Sequence, residues 1–363
     1  MLYQYTPAAN RNNWLHDCLC QIVQAIHADI GANRTPPSWP NIVPTLYRTQ
    51  LKPHKKALTD RLDEYIKVLK GLADAERLLV ITALSEQNAI SALLDSSQEC
   101  SVLNDLPQAI HSAIRELFYL CFKLLTKLKI RDEQYKIIYR NAPYKVCAFC
   151  GCEHFNAPTG PREDLDHYLA ESIYPFAAAN LHNLAPTCGK CNSQYKLAKD
   201  VLRTKDGVRR KAFNPFDCTA VTISLRNSVL NPTPVGALFS DWRIDFSIQS
   251  EEVDTWEELY SIRERYKRDF LVEHFNTWLQ EFMDYCKALR EKNLVDRNNP
   301  NLVLLLVESY SENLYDDGLA DMSFLKCAVF KLILSFYNTG NNRIISLMDD
   351  LYAGNINPHE VFA

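Results

Sequence analysis

Two Cys-x-x-Cys pairs, Cys147-Ala-Phe-Cys150 and Cys188-Gly-Lys-Cys191, stand 37 residues apart in a chain of 363. Each such turn sets two thiolates about one tetrahedral edge apart, and two turns close a four-sulfur shell around Zn2+. Four soft ligands leave no coordination position open, so the expected ion is structural. Binding of this kind contributes roughly 10–16 kcal/mol in small zinc peptides, enough to order a loop-rich segment with little core of its own. Cys152 and His154 lie nearby and could compete as ligands, but the symmetry of the pairs favours Cys147 and Cys150. A thioredoxin-like role for either pair needs a βαβ pattern that the flanking sequence lacks.

A second set of polar residues is threaded through this frame. Asp164-Leu165-Asp166-His167-Tyr168 reads as a short strand ending in an Asp-His pair. Sixteen positions on, Asn183 leads a second short strand into Cys188. Nine positions further, Asn192 follows Cys191 and opens a helical stretch that carries Lys196 one turn later. This order of strand with Asp-His, strand with Asn and helix with Asn, interlocked with the cysteine pairs, resembles the HNH (His-Me finger) endonucleases. Their ββα-metal core, in its cysteine-containing branch, has the same register. The resemblance covers about fifty residues and departs from the family's name at its last letter, where this chain has Asn192. The run Phe213-Asn214-Pro215-Phe216-Asp217 behind the core also resembles larger bacterial members of the family.

The resemblance implies phosphodiester hydrolysis, which needs an activated water, a Lewis acid on the scissile phosphate and charge stabilisation at the leaving oxygen. It makes His167 the general base and gives Asp166 and Asn192 as oxygen ligands of a catalytic Mg2+ or Mn2+. Asn183 orients His167 and braces the hairpin loop, and Lys196 contacts the phosphate backbone. Asp164 and Glu171 read as solvated surface residues, with an outer-ligand role the lesser alternative. DNA is the expected substrate and RNA the alternative. Long helical flanks around such a core fit the HNH subunits of bacterial anti-phage defence systems, which often work beside an ATPase, and fit as the lesser alternative a stand-alone restriction-type or mobile-element nuclease. A rival from another class is a non-catalytic zinc ribbon that binds nucleic acid or protein. A ribbon of that kind needs none of Asp166, His167, Asn183 and Asn192.

Charge is unevenly spread over the elements that must position these groups. The net charge is −4, yet Cys121 to Lys211 holds sixteen Lys and Arg against nine Asp and Glu, an excess of +7 that leaves about −11 elsewhere. A basic centre in an acidic chain fits a localised phosphate-binding face. Lys190, Lys196, Lys199, Arg203, Arg209 and Arg210 are its candidate nucleic-acid contacts.

Around the centre, apolar residues recur at helix spacing: Leu15, Cys18, Leu19, Ile22, Val23 and Ile26, then Ile114, Leu117, Phe118, Cys121, Leu124, Leu125 and Leu128. In the C-terminal part, Phe275, Trp278, Leu279, Phe282, Met283, Cys286 and Leu289 form one stripe, and Phe324 to Tyr337 another. These stripes, and the cysteines within them, are read as core. Val221 to Leu225 and Trp242 to Ile248 read as short strands, with the turn signal Asn-Pro-Thr-Pro-Val-Gly between them. The expected fold is mainly α with a small central α+β insert. It comprises a helical region over 1–140, the zinc-stapled core over 141–217, and strands followed by helices over 218–363. No secretory signal and no apolar run of membrane-spanning length is visible, so a cytoplasmic protein without a membrane partner is expected.

Overall fold

The computed structural model describes residues 1–361 except Arg162, Pro234 and Val235; the side chains of Asp164, Glu360 and Val361 also lie outside the description. It is mainly helical, 58% helix against 6% strand, with a small sheet region and a four-cysteine cluster. The N-terminal periodicity forms α1 (Trp14–Gly31), α2 (Lys55–Lys70), α3 (Asp74–Gln87), α4 (His111–Lys127) and α5 (Ile130–Asn141). In α1 and α4 the residues at helix spacing point inward, as an amphipathic face must. Leu128 caps α4 just beyond its last turn.

The central strands are β1 (Asp164–His167) and β2 (Leu184–Thr187), antiparallel, with Asp166 opposite Ala185 and His167 opposite Leu184. The second Cys-x-x-Cys then leads into a π-helical segment, Lys190–Lys196. Downstream, β3 (Ile223–Ser224) pairs with β6 (Asp245–Phe246), inside the two segments read as strands. A further pair, β4 (Val229–Leu230) with β5 (Phe239–Asp241), was not legible from the pattern. Part of the expected turn falls on Pro234 and Val235, outside the described residues. The C-terminal stripes form α6 (Glu251–Tyr260), α7 (Val272–Glu291), α8 (Leu302–Asp317), α9 (Ser323–Asn338) and α10 (Asn342–Ala353).

Two apolar clusters form the interior, and the β1–β2 hairpin lies between them. Leu165 and Leu184 join the cluster built by α1 to α4, whereas Ala185, Tyr168 and Leu169 join the one built by the C-terminal helices. The second cluster also recruits Met1 to Tyr5 and the short helix Ile90–Leu94, so the core does not follow chain order. Main-chain groups of a buried strand need partners. Tyr5 supplies one, its hydroxyl donating to the Pro186 carbonyl at 2.7 Å. Gln134 of α5 supplies others, donating to the Leu181 and Leu184 carbonyls at 3.0 and 3.1 Å. Among the described residues no helix is long and apolar enough to cross a membrane.

Candidate active site and metal centre

Cys147, Cys150, Cys188 and Cys191 are all buried, with their sulfurs within 4.8 Å of one another. Zn–S bonds of about 2.3 Å in a tetrahedron require sulfur–sulfur edges of about 3.8 Å; the Cys150 and Cys188 sulfurs lie 3.8 Å apart. The four residues can therefore hold a metal ion such as zinc. Burial pushes the Cys147 thiol well up, while hydrogen bonds from Cys147, Cys152, Cys188 and Cys191 pull Cys150 well down. A divalent cation is what would allow all four sulfurs to ionise together. Cys152 stays outside, donating to the Cys150 carbonyl at 3.1 Å, and exposed His154 faces Asp321 at 3.4 Å.

The first pair turns through Gly151, whose amide donates to the Cys147 carbonyl at 2.7 Å with φ at +68°. A Cβ there would lie 2.4 Å from Leu2 Cδ1. Neighbouring helices close over the cluster. Trp256 donates its indole N–H to the Phe149 carbonyl at 2.9 Å, and Tyr266 its hydroxyl to Cys150 at 2.8 Å. Arg265 is 1% exposed and donates to Cys191 Sγ at 3.3 Å, its guanidinium 4.5 Å over the Tyr195 ring. A four-thiolate zinc centre carries a net charge of −2, so a buried cation beside it offsets part of that charge. Nothing near the cysteines in sequence pointed to Arg265.

The four polar residues singled out in the sequence cluster around β1, β2 and the π-helical segment. Asn183 is fully buried at the entry to β2. Its Oδ1 accepts from the Leu169 amide at 2.7 Å, and its Nδ2 donates to the Leu169 and Ala177 carbonyls at 3.0 and 3.3 Å. It thus clamps the two ends of the loop joining the strands. It supports His167 only through the backbone: Tyr168 donates to the Asn183 carbonyl, and Ala177 precedes the residue that holds the imidazole.

Half-buried His167 places Nε2 3.0 Å from the Ala178 carbonyl. A carbonyl can only accept, so Nε2 carries the proton and Nδ1 keeps the lone pair. The Phe122 ring of α4 packs against the imidazole at 4.3 Å. Burial lowers its pKa to about 4, opposed by the bond to Ala178 and reinforced by the cations of Lys196 and Arg131. The imidazole is neutral throughout the physiological range.

Lys196 departs from its expected role. It is buried, and its ammonium donates to Asp166 Oδ1 at 3.0 Å and to the His167 carbonyl at 2.8 Å. It therefore faces the interior and not a phosphate backbone. Asn192 lies one turn before it on the same helical segment, half-buried, the amide of its own backbone bonded to the Cys188 carbonyl. Strand pleating also separates two neighbours. His167 shares a face with Leu165, Leu184 and Pro186, while Asp166 shares the other with Ala185 and Thr187. Asp166 meets Lys196 and His167 meets Phe122 and Ala178, so the adjacent pair occupies two sides of the hairpin. The side chain of Asp164, the lesser candidate, lies outside the described residues.

The basic run needs a wider correction. Arg210 is buried, paired with Glu258 at 2.6 Å and donating to the Asp200 carbonyl. Arg209 donates to the carbonyls of Leu93, Leu202 and Arg210. Arg203 pairs with Glu99 at 2.7 Å and Lys190 with Glu153 at 2.6 Å, and Lys199 reaches the Glu258 and Leu259 carbonyls. Much of 197–217 is irregular backbone, whose carbonyls need donors. These side chains supply them, and distant carboxylates neutralise the charge. Arg209 and Arg210 in particular are structural staples, and Lys190 and Arg203 are engaged in ion pairs at the surface.

No protein-family model, no curated protein and no solved structure matches this chain.

Proposed function

We propose that the protein is a metal-dependent endonuclease of the HNH type that hydrolyses phosphodiester bonds in DNA, built on a ββα core with a structural zinc at Cys147, Cys150, Cys188 and Cys191. The observation that carries this reading is the placement of His167: its Nε2 is fixed by the Ala178 carbonyl, which leaves the lone pair on Nδ1, and it forms the last rung of the β1–β2 ladder before the connecting loop. A group in that state can take a proton from water, a contribution typically of about 10²–10⁴ in rate. Asp166 and Asn192 fit a hard cation by donor type, offering a carboxylate and an amide oxygen. Bound there, Mg2+ or Mn2+ would supply Lewis acidity at the scissile phosphate. Asp166 and His167 lie on opposite faces, but adjacent residues keep their Cα atoms about 3.8 Å apart. A phosphodiester that meets both would have to straddle the strand at this point. Asn183 is a positioning residue, holding the loop that carries Ala178.

One observation favours the rival reading, a non-catalytic zinc scaffold: Lys196 already neutralises Asp166 without a second ion. Supercoiled plasmid incubated with Mg2+ or Mn2+ separates the two. The nuclease relaxes or linearises it, and His167→Ala does not; a scaffold leaves it intact with either protein. A role in anti-phage defence beside an ATPase subunit belongs to the same proposal and is tested by co-purification with the products of neighbouring genes.

A further inference from the structure

The exposed face of α4 that runs up to His167 carries two aromatics flanked by two cations. Arg115, Tyr119, Phe122 and Lys123 fall at i, i+4, i+7 and i+8, so they share one side of the helix. Arg115 and Lys123 are exposed, and Tyr119 is 39% exposed, unusual for a large aromatic with a buried core close by. Tyr119 stacks on Phe122 with centroids 6.1 Å apart and planes 25° apart, and Lys123 lies 4.3 Å from its ring centre. Phe122 then touches His167 on one side and Arg131 on another, the guanidinium 4.7 Å over its ring. The stripe is thus continuous with the candidate base. At its far end Arg115 reaches the Ser172 carbonyl at 3.4 Å, in the loop after β1. The half-buried carboxyl of Glu171, pushed up by burial, faces Arg115 and Lys123, and the exposed Glu116 on the same side of α4 lies 3.8 Å from Arg61.

We infer that this face of α4 is the docking surface for the substrate strand, and that the strand lies on it unpaired, as single-stranded DNA. The inference deepens the nuclease reading and rests on it for the direction of the strand toward His167. Charge favours a polyanion, since Arg115 and Lys123 are exposed on this face and Glu116 is already paired with Arg61. The aromatic pair selects an unpaired one, because bases inside a duplex have no free face for a side chain to stack on, whereas sequence-tolerant single-strand sites combine a basic track with aromatic platforms. Arg115 to Lys123 spans about 12 Å along the helix at 1.5 Å per residue, so the stripe would contact a short stretch of strand.

The test is fluorescence anisotropy with labelled oligo(dT) of fifteen nucleotides and with a fifteen-base-pair duplex, across a salt series without added Mg2+ or Mn2+. The proteins are the full chain, Arg115→Ala/Lys123→Ala, Tyr119→Ala and His167→Ala. Melting curves verify folding, which alanine on an exposed helix face should preserve. The single strand is expected to bind at least tenfold tighter than the duplex. The double variant should weaken binding at least tenfold and reduce the salt slope by about 1.4, two phosphates at roughly 0.7 each. Tyr119→Ala should weaken it at least fivefold; His167→Ala serves only the cleavage comparison. Unchanged affinity and slope in the double variant, or a duplex bound as tightly as the single strand, overturns the inference. Plasmid cleavage that requires His167 but ignores the stripe would leave the nuclease reading standing alone. Stripe-dependent binding without any cleavage would do the reverse.

Discussion

The ammonium of Lys196 lies 3.0 Å from Asp166 Oδ1, with the two side chains 1% and 6% exposed. A buried pair of this kind is not automatically stabilising, but removing one partner strands a charge in the interior, at a cost of about 3–5 kcal/mol. Lys196→Met is therefore expected to lower unfolding stability by about that amount. Asp166→Asn/Lys196→Met should be less destabilised than the sum of the single variants, because the pair acts as a unit. Denaturant unfolding of the four proteins measures the coupling; additive losses would show that the two residues act independently.

The cysteine cluster is expected to carry one zinc ion per chain, measurable by elemental analysis of the purified protein. Cys188→Ser should lose the metal and with it cooperative unfolding, since the ion orders the segment that links both cores. Arg265→Met keeps the bulk and removes the cation beside Cys191. Transfer of zinc to a colorimetric chelator should then quicken about tenfold or more, the usual scale for groups that support metal ligands. An unchanged rate would mean that the arginine only fills space.

Burial lowers His167 to about 4, and His16 and His27 also to about 4. Each is more basic in the unfolded chain, near 6.5. Between those values the unfolded state binds more protons, so this contribution to stability is present above pH 6.5 and lost as pH falls toward 4. The melting temperature should drop on going from pH 7.5 to pH 5. Cleavage needs the neutral imidazole, so kcat/KM at fixed ion concentration should be nearly flat from pH 6 to 8 as far as His167 is concerned. An inflection near 6.5 that disappears with His167 would place the ring in water instead.

Gly151 carries the turn after the first cysteine pair at φ +68° and leaves no room for a methyl group beside Leu2. Left-handed backbone at a non-glycine residue costs on the order of 1–3 kcal/mol, and the contact with Leu2 adds to it. Gly151→Ala should lower the melting temperature and weaken zinc retention together. Gly189, in the second pair, has negative φ and open space at its Cβ, so Gly189→Ala should change neither.

What could be read from the sequence was local. The cysteine turns and the two short strands depend on spacing over a few residues, and the structure forms them in their expected places, while the helical stretch at Cys191 is a short π-helical segment, Lys190–Lys196. Partners distant in the chain could not be read. Cys191 and Arg265 are 74 positions apart, Asp166 and Lys196 30 apart, and Phe122 reaches His167 from another helix. The basic run showed its sign but hid its neutralisation, because Glu99 and Glu258 come from either side of it. Adjacency at Asp166 and His167 hid a division of surroundings, because a pleated strand turns the two neighbours to opposite faces.

The most direct measurement is the single-turnover rate of hydrolysis of an end-labelled DNA strand with Mg2+ or Mn2+, comparing the full protein with His167→Ala after both are shown to be folded and zinc-loaded. The account predicts ion-dependent cleavage that falls by about 10²–10⁴ in the variant. Cleavage at equal rates, or none by the folded, zinc-loaded parent with either ion, would contradict it.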